Sequence, residues 1–217
     1  MELIIFGAPG VGKGTQAKII SQKLNIPHIS TGDILREAIK NETELGKKAK
    51  EIVHSGGLVP DDLVGGMIRE KLSEKKMKKG FILDGFPRTI PQAEILENIF
   101  NELGFGKPVV IKLSADDSVI VERLSSRRTC SNCGAIVNLL TLENPDVCPE
   151  CGANGTLVQR KDDNEETIRN RLKVYHEATA PVFNFYKNRA IIIEVDGTLS
   201  VEEVNKNILE ELEKINN

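Results

Sequence analysis

The chain has 217 residues, 40% hydrophobic and 28% charged, with a formal net charge of −3. That balance fits a globular domain with one sizeable core and insertions, and it excludes a basic surface built to coat nucleic acid. No apolar run approaches the roughly 18 residues of a membrane span. No basic segment precedes the first apolar run, so no secretory leader is expected, and the expected compartment is the cytoplasm.

Leu3-Ile4-Ile5-Phe6 is short, apolar and β-prone, which predicts a buried strand. It runs into Gly7-Ala8-Pro9-Gly10-Val11-Gly12-Lys13-Gly14-Thr15, after which Ala17, Ile20 and Leu24 recur at helical spacing. Strand, glycine-rich turn, and a helix with lysine at its start make a phosphate-binding loop. The glycines let successive N–H groups turn inward, the helix N-terminus adds partial positive charge, and Lys13 supplies a mobile full charge. The place after the lysine, where Ser or Thr usually helps to hold Mg2+, is Gly14, and the hydroxyl follows at Thr15.

Residues 26–30 read as a short extended stretch. Thr31 is placed to cap a helix carrying Ile34, Leu35, Ala38 and Ile39, and a second short helix is expected over 44–54. After Gly56-Gly57-Leu58-Val59-Pro60, Asp61 is placed to cap a helix with Leu63, Met67, Ile68 and Leu72 on one face. Phe81-Ile82-Leu83-Asp84 reads as a buried strand with a carboxylate at its C-terminal end, where open α/β sheets bind ligands. Gly85-Phe86-Pro87-Arg88 is the following loop. A helix over 89–103 turns Ala93, Leu96, Phe100 and Leu103 inward, residues 109–113 form a strand, and a helix lies near 116–125. Residues 191–195 form the last strand. Ser200 and Glu203 make a capping box for a C-terminal helix with a stripe of Val201, Val204, Ile208, Leu212 and Ile215. Alternating strands and helices predict a doubly wound parallel sheet.

Residues 126–163 break this alternation, being rich in Gly, Asn, Pro and Cys without a periodic run. Cys130-Ser-Asn-Cys133-Gly and Cys148-Pro-Glu-Cys151-Gly are paired knuckles. Four thiolates suit tetrahedral Zn2+ in a closed structural site, and a small insert with little core needs such a staple. Redox thiols are the alternative, but redox CxxC pairs are seldom doubled at ribbon spacing. A nucleic-acid-binding zinc ribbon would fit the cysteines alone, yet the chain's acidity and its phosphate loop oppose it. The embedding of the segment between a core helix and a helix beginning near Asn164 argues for a moving flap.

At this point the sequence resembles the adenylate kinases in their long-lid, zinc-containing form, part of the nucleoside monophosphate kinases. The resemblance rests on residues 7–15, Ser30-Thr31-Gly32-Asp33, Asp84-Gly85-Phe86-Pro87-Arg88 with Gln92, and residues 160–171. It implies a core of 1–29, 60–125 and 164–217, a monophosphate-binding insert over 30–59 and a zinc-containing lid over 126–163. It also implies the reaction ATP + AMP ⇌ 2 ADP with Mg2+, in a monomer that binds no nucleic acid or membrane. A UMP/CMP kinase or another small-molecule kinase shares the loop but would not combine this lid with Gln92.

The chemistry agrees with the residue types. An AMP phosphate is largely ionised at neutral pH, its second pKa lying near 6 by analogy with phosphoserine, so the acceptor needs no general base. The need is for planar cations to oppose several phosphates, which favours Arg. By the resemblance, Arg36 and Arg88 hold the AMP phosphate, while Arg123 and Arg127 hold ATP phosphates. Arg160 and Arg171 bridge donor and acceptor, and Asp84 orients the water shell of Mg2+. Gly10 to Thr15, with Ile136, Val137 and Thr198, complete the ATP site. Thr31, Gly57, Leu58, Val59, Gly85, Phe86, Pro87 and Gln92 complete the AMP site, Gln92 offering a donor and an acceptor to the adenine edge. Many members of the family have an aromatic where this chain has Ile136 and Val137. Asp162 and Asp163 read as hinge or inter-insert pairs, Arg69 and Arg189 as solvated, and His28, His54 and His176 as structural.

Overall fold

The computed structural model describes residues 1–216, with side chains through residue 215. The central strands are β1 (Glu2–Phe6), β2 (His28–Ser30), β3 (Phe81–Asp84), β4 (Val109–Ser114) and the late strand Ile191–Asp196, named β8 below because three short strands precede it in the chain. They form one parallel sheet in the order β2-β3-β1-β4-β8. The winding direction changes at β1, whose neighbours on either side are β3 and β4. The loop after β1 therefore opens at the point where such sheets bind ligands.

Alternation along β1 divides the core. Ile4 and Phe6 face helices α4 (Asp61–Leu72), α5 (Ile90–Leu103) and α8 (Val182–Tyr186), with Ile68, Leu96, Ile99 and Val182 all at most 1% exposed. Leu3 and Ile5 face α1 (Lys13–Leu24), α6 (Asp117–Ser126), α7 (Glu165–Val174) and α9 (Val201–Asn216), through Ile20, Ile120, Ile168 and Ile208. Burial of this kind contributes about 25 cal/mol per Å2 of apolar surface. It settles the sheet's position between two helical layers. The segment between β2 and α4 holds α2 (Thr31–Lys40) and α3 (Glu44–His54). These pack closely, because a Cβ on Gly46 would stand 2.0 Å from the Ala38 carbonyl oxygen.

The helix ends correct two expectations. Ser30, not Thr31, is the N-cap of α2, its hydroxyl accepting from Asp33 N at 3.2 Å. Pro60 occupies the cap position of α4, and Asp61 is the first helical residue with its carboxylate turned towards α5. Both helices begin one residue from the expected cap, because the neighbouring element offers Thr31 and Asp61 a better partner. Thr31 donates to Gly85 O at 2.7 Å. Three stripe positions are also exposed: Leu24 and Leu103 lie in final turns and Val201 in a first turn, beyond the reach of the sheet. Ile99, fully buried, fills the place expected of Leu103.

The cysteine-rich segment is a small antiparallel sheet, β5 (Arg127–Cys130), β6 (Ile136–Asn138) and β7 (Leu157–Val158), in the order β6-β5-β7. Strands of two to four residues carry too few alternations for a sequence period to register. After α7 the chain widens into a π-turn over Tyr175–Thr179, and Tyr175 and Thr179 lie at the edge of the cavity described next.

Candidate active site

Beyond the C-terminal ends of β1 and β3 lies a cavity of about 200 Å3, bounded by the phosphate loop, α2, the loop after β3, α6, β6 and α7. The loop's backbone explains its glycines. Gly10 and Gly12 have φ of 83° and 109°, and a Cβ on Gly10 would stand 2.7 Å from Leu124. Gly14 has a different reason to lack a side chain. A Cβ there would sit 3.3 Å from Asp84 Oδ2, a tight contact that would press the carboxylate back by a few tenths of an ångström. Lys13 opens α1 and folds back, its Nζ donating to Gly7 O and Ala8 O at 2.8 Å each. Burial is the main force lowering its pKa to about 7; Asp84 opposes the shift, while Arg88, Arg171 and Arg127 add to it.

Seven cations line the cavity: Lys13, Arg36, Arg88, Arg123, Arg127, Arg160 and Arg171, against two carboxylates, Asp33 and Asp84. Each cation has a holder. Arg88 Nε donates to Gly85 O at 2.9 Å, and Arg36 pairs with Asp33 at 2.5 Å. Arg123 donates to Gly197 O at 2.7 Å and Thr198 O at 3.3 Å. Arg160 Nε donates to Thr129 Oγ1 on β5 at 2.9 Å. Burial, reinforced by neighbouring guanidinium groups, lowers both Arg88 and Arg160 to about 10, which leaves them charged at neutral pH.

Asp163 is the buried anchor. It is 1% exposed and receives Arg127 through two hydrogen bonds of 2.8 and 2.6 Å and Arg171 through one of 3.0 Å. Arg171 also reaches Asp162 Oδ2 at 3.1 Å. Burial pushes the Asp162 carboxyl up, but Arg171, Arg36, Arg127 and Arg160 outweigh it and hold it below the usual range. Asp163→Ala should lower unfolding free energy by about 3 kcal/mol, because it strands Arg127 without its partner. Urea denaturation of the variant measures this, and an unchanged midpoint would deny Asp163 its anchoring part.

Not every expected residue bounds the cavity. Gly10, Gly12 to Thr15, Leu58, Gly85, Pro87 and Ile136 do. Val11, Thr31, Val59 and Phe86 are buried behind it, at 5% exposure or less. Gly57 and Val137 are partly buried and stand outside its wall. Thr198 turns back on Asp196, its hydroxyl donating at 2.6 Å. Gln92, 2% exposed, has its side chain engaged by Asp61 and by the backbone N–H of Arg88. His28, read as structural, brings Nε2 to 3.5 Å from Asp84 Oδ2, a placement that only the pairing of β2 with β3 reveals.

The four cysteines are brought together. Their Sγ atoms lie within 4.8 Å of one another, with Cys130–Cys151 at 3.8 Å and Cys133–Cys148 at 3.7 Å. Metal–sulfur bonds of about 2.3 Å arranged as a tetrahedron give sulfur–sulfur edges of about 3.8 Å, whereas a disulfide needs about 2.05 Å. The spacing of the cluster therefore suits a tetrahedral metal ion and not a disulfide. The thiols do not titrate alike: Thr156 lowers Cys130 to about 6 and Asn132 lowers Cys151, whereas Cys133, although the Ala135 N–H lowers it, is pushed up to about 12 by burial and by the three neighbouring thiols.

A family model described as adenylate kinase matches residues 5–191. The chain belongs to the adenylate kinase family. It is 50% identical to an adenylate kinase of Kosmotoga olearia over 217 residues, covering 99% of this chain and all of that one. It is 48% identical to one of Caldicellulosiruptor bescii, covering 98% and 99% of the two chains. One of Archaeoglobus fulgidus is 49% identical, covering 99% of each. As an adenylate kinase, the chain catalyses ATP:AMP phosphoryl transfer and binds ATP, AMP and ADP. The arginine-lined cavity suits that chemistry, since phosphoryl transfer needs positioning and charge stabilisation rather than a base. No helix among the described residues is long and apolar enough to cross a membrane.

Proposed function

We propose that the seven-cation cavity is the transfer site, with its residues divided between donor and acceptor. The observation that carries this is the convergence of cations from the phosphate loop, α2, α6 and the segment after β7 on one cavity. Lys13 and the loop N–H groups hold the ATP phosphates, with Arg123 and Arg127 beside them. Arg36 and Arg88 hold the AMP phosphate. Arg160 and Arg171 stand between and oppose the charge on the transferred group. Ile136 covers the ATP side. Gln92 reads the acceptor base, and Leu58 and Pro87 wall its pocket. Asp84, against Gly14, is placed to orient the water shell of the Mg2+ that accompanies ATP. That ion would neutralise phosphate charge when bound.

Residues 30–59 and 126–163 act as the monophosphate insert and the lid. The lid carries Arg160 to the cavity and excludes water, which would otherwise hydrolyse the poised phosphoryl group. The metal of the cysteine cluster is Zn2+, supported by four soft thiolate donors at tetrahedral spacing. With every ligand position filled by sulfur, it is structural. Free thiols in metal geometry also fit a reducing, cytoplasmic setting.

A coupled assay with AMP, UMP, CMP and GMP as acceptors tests the assignment. AMP should be strongly preferred, and Gln92→Ala should narrow that preference while leaving turnover with AMP largely intact. An equal rate with UMP would overturn the acceptor reading.

A further inference from the structure

If Gln92 reads the acceptor base, its amide must face that base in one of two orientations, and the structure holds it in one. Gln92 Nε2 donates to Asp61 Oδ1 at 2.8 Å, and Gln92 Oε1 accepts from Arg88 N at 2.7 Å. Asp61 Oδ1 also accepts from Thr89 Oγ1 at 3.0 Å, and Thr89 Oγ1 accepts from Gln92 N at 3.2 Å. A carboxylate only accepts and a peptide N–H only donates. Turning the amide over would set its NH2 against the Arg88 N–H and its oxygen against the carboxylate. Two hydrogen bonds would become two repulsions at a side chain that is only 2% exposed, where unmet polar groups are costly.

An amide oxygen accepts two hydrogen bonds and an amide nitrogen donates two. One of each is committed to the protein, so one acceptor and one donor remain, in an order that cannot reverse. Adenine offers an amino donor at C6 beside the N1 acceptor. Hypoxanthine and guanine offer a carbonyl acceptor at C6 beside an N1–H donor. A locked amide suits the first and opposes the second, whereas a free amide would turn over and accept either.

We infer that Asp61, outside the cavity wall, is a positioning residue that sets acceptor specificity by fixing the orientation of the Gln92 amide. This rests on the reading of Gln92 as the base contact. Asp61 opens α4 and Thr89 caps α5, so the lock also joins the starts of two core helices directly behind the proposed acceptor site.

The test compares Asp61→Ala with Asp61→Asn, reading kcat and KM for AMP and IMP. Asp61→Ala removes the acceptor; KM for AMP should rise and the AMP-over-IMP ratio of kcat/KM should fall roughly tenfold, the scale of one well-placed base contact. Turnover at saturating AMP should stay within about twofold, since no phosphate contact is touched. Asp61→Asn keeps an oxygen in place without its charge and should keep the ratio. Both variants lose the same negative charge from the first turn of α4, so a difference between them is not helix stabilisation.

Loss of the ratio in both variants, or in neither, overturns the lock. Gln92→Ala is read separately. If it leaves the ratio unchanged, Gln92 is not the base contact; if it abolishes the ratio while Asp61→Ala keeps it, Gln92 stands and the lock falls. Should Asp61→Ala fail to fold, the wild-type protein still decides. In a 15N spectrum without nucleotide, the Gln92 side-chain NH2 should be protected from solvent exchange, and exchange as fast as that of surface glutamines overturns the inference.

Discussion

Lys13→Ala should lower kcat/KM for phosphoryl transfer about a thousandfold while leaving the fold intact. The magnitude is that of losing a preorganised charged donor at the transferred phosphate. The stability effect has a definite sign. In the folded protein Lys13 titrates near 7, because burial and three arginines disfavour its charge, whereas an unfolded lysine titrates near 10.4. Between those values the unfolded chain binds more protons, so the native state gains stability as pH rises through that window and loses it as pH falls towards 7. The uncharged variant escapes this. It should melt at the same or a higher temperature than the parent near pH 7, with the difference closing as pH approaches 10. ATP phosphates beside Nζ favour the charged form, so ATP binding at pH 8 should take up a proton. Calorimetry in two buffers of different ionisation enthalpy measures that uptake. Wild-type turnover in the variant, or binding without proton uptake, would remove Lys13 from the phosphate site.

Stripping the metal, or changing Cys130 and Cys148 together to serine, should unfold residues 127–160 while the parallel sheet stays folded. The reason is the composition of that segment's interior. Its buried cluster is Cys130, Ala135 and Cys148 with Leu157 against it, so half of its core residues belong to the four-cysteine cluster. A four-thiolate Zn2+ site contributes about 10–16 kcal/mol of folding free energy in small domains, far more than these few apolar contacts can supply. Hydrogen exchange should show loss of protection confined to that segment, with the global melting temperature lowered. Turnover should fall because Thr129, which holds Arg160 Nε, belongs to the strand that melts. Co2+ in place of Zn2+ should restore both stability and rate with an unshifted pH profile. A metal-free protein as stable as the metal-bound one would sink the staple reading.

The contrast between loop and pocket shows what was legible in the sequence. The phosphate loop is contiguous, and its glycines and lysine answer to local backbone geometry, so residues 7–15 announced themselves. The cysteines did so by spacing. The doubly wound sheet followed from alternating elements whose apolar faces were long enough to register. What was not legible depends on neighbours far along the chain. Thr31 and Asp61 read as caps because the cap signature is local, yet their oxygens are drawn to Gly85 and to Thr89 with Gln92. His28 meets Asp84 only through strand pairing. Asp163 was visible as a paired acid, but its reach to both Arg127 and Arg171 depends on how α7 packs beside α6. The strands of the cysteine segment were hidden because two to four residues carry too few alternations to register.

The cavity's charge has a consequence for encounter as well as for chemistry. Six arginines and Lys13 against two carboxylates line one concavity of a chain whose formal net charge is −3. The surface outside that concavity is therefore more acidic than the whole. A mononucleotide is small enough to follow the focused field inward. If the same residues oppose phosphate charge during transfer, they also draw the nucleotide in, and raising ionic strength should slow nucleotide association more than it slows turnover.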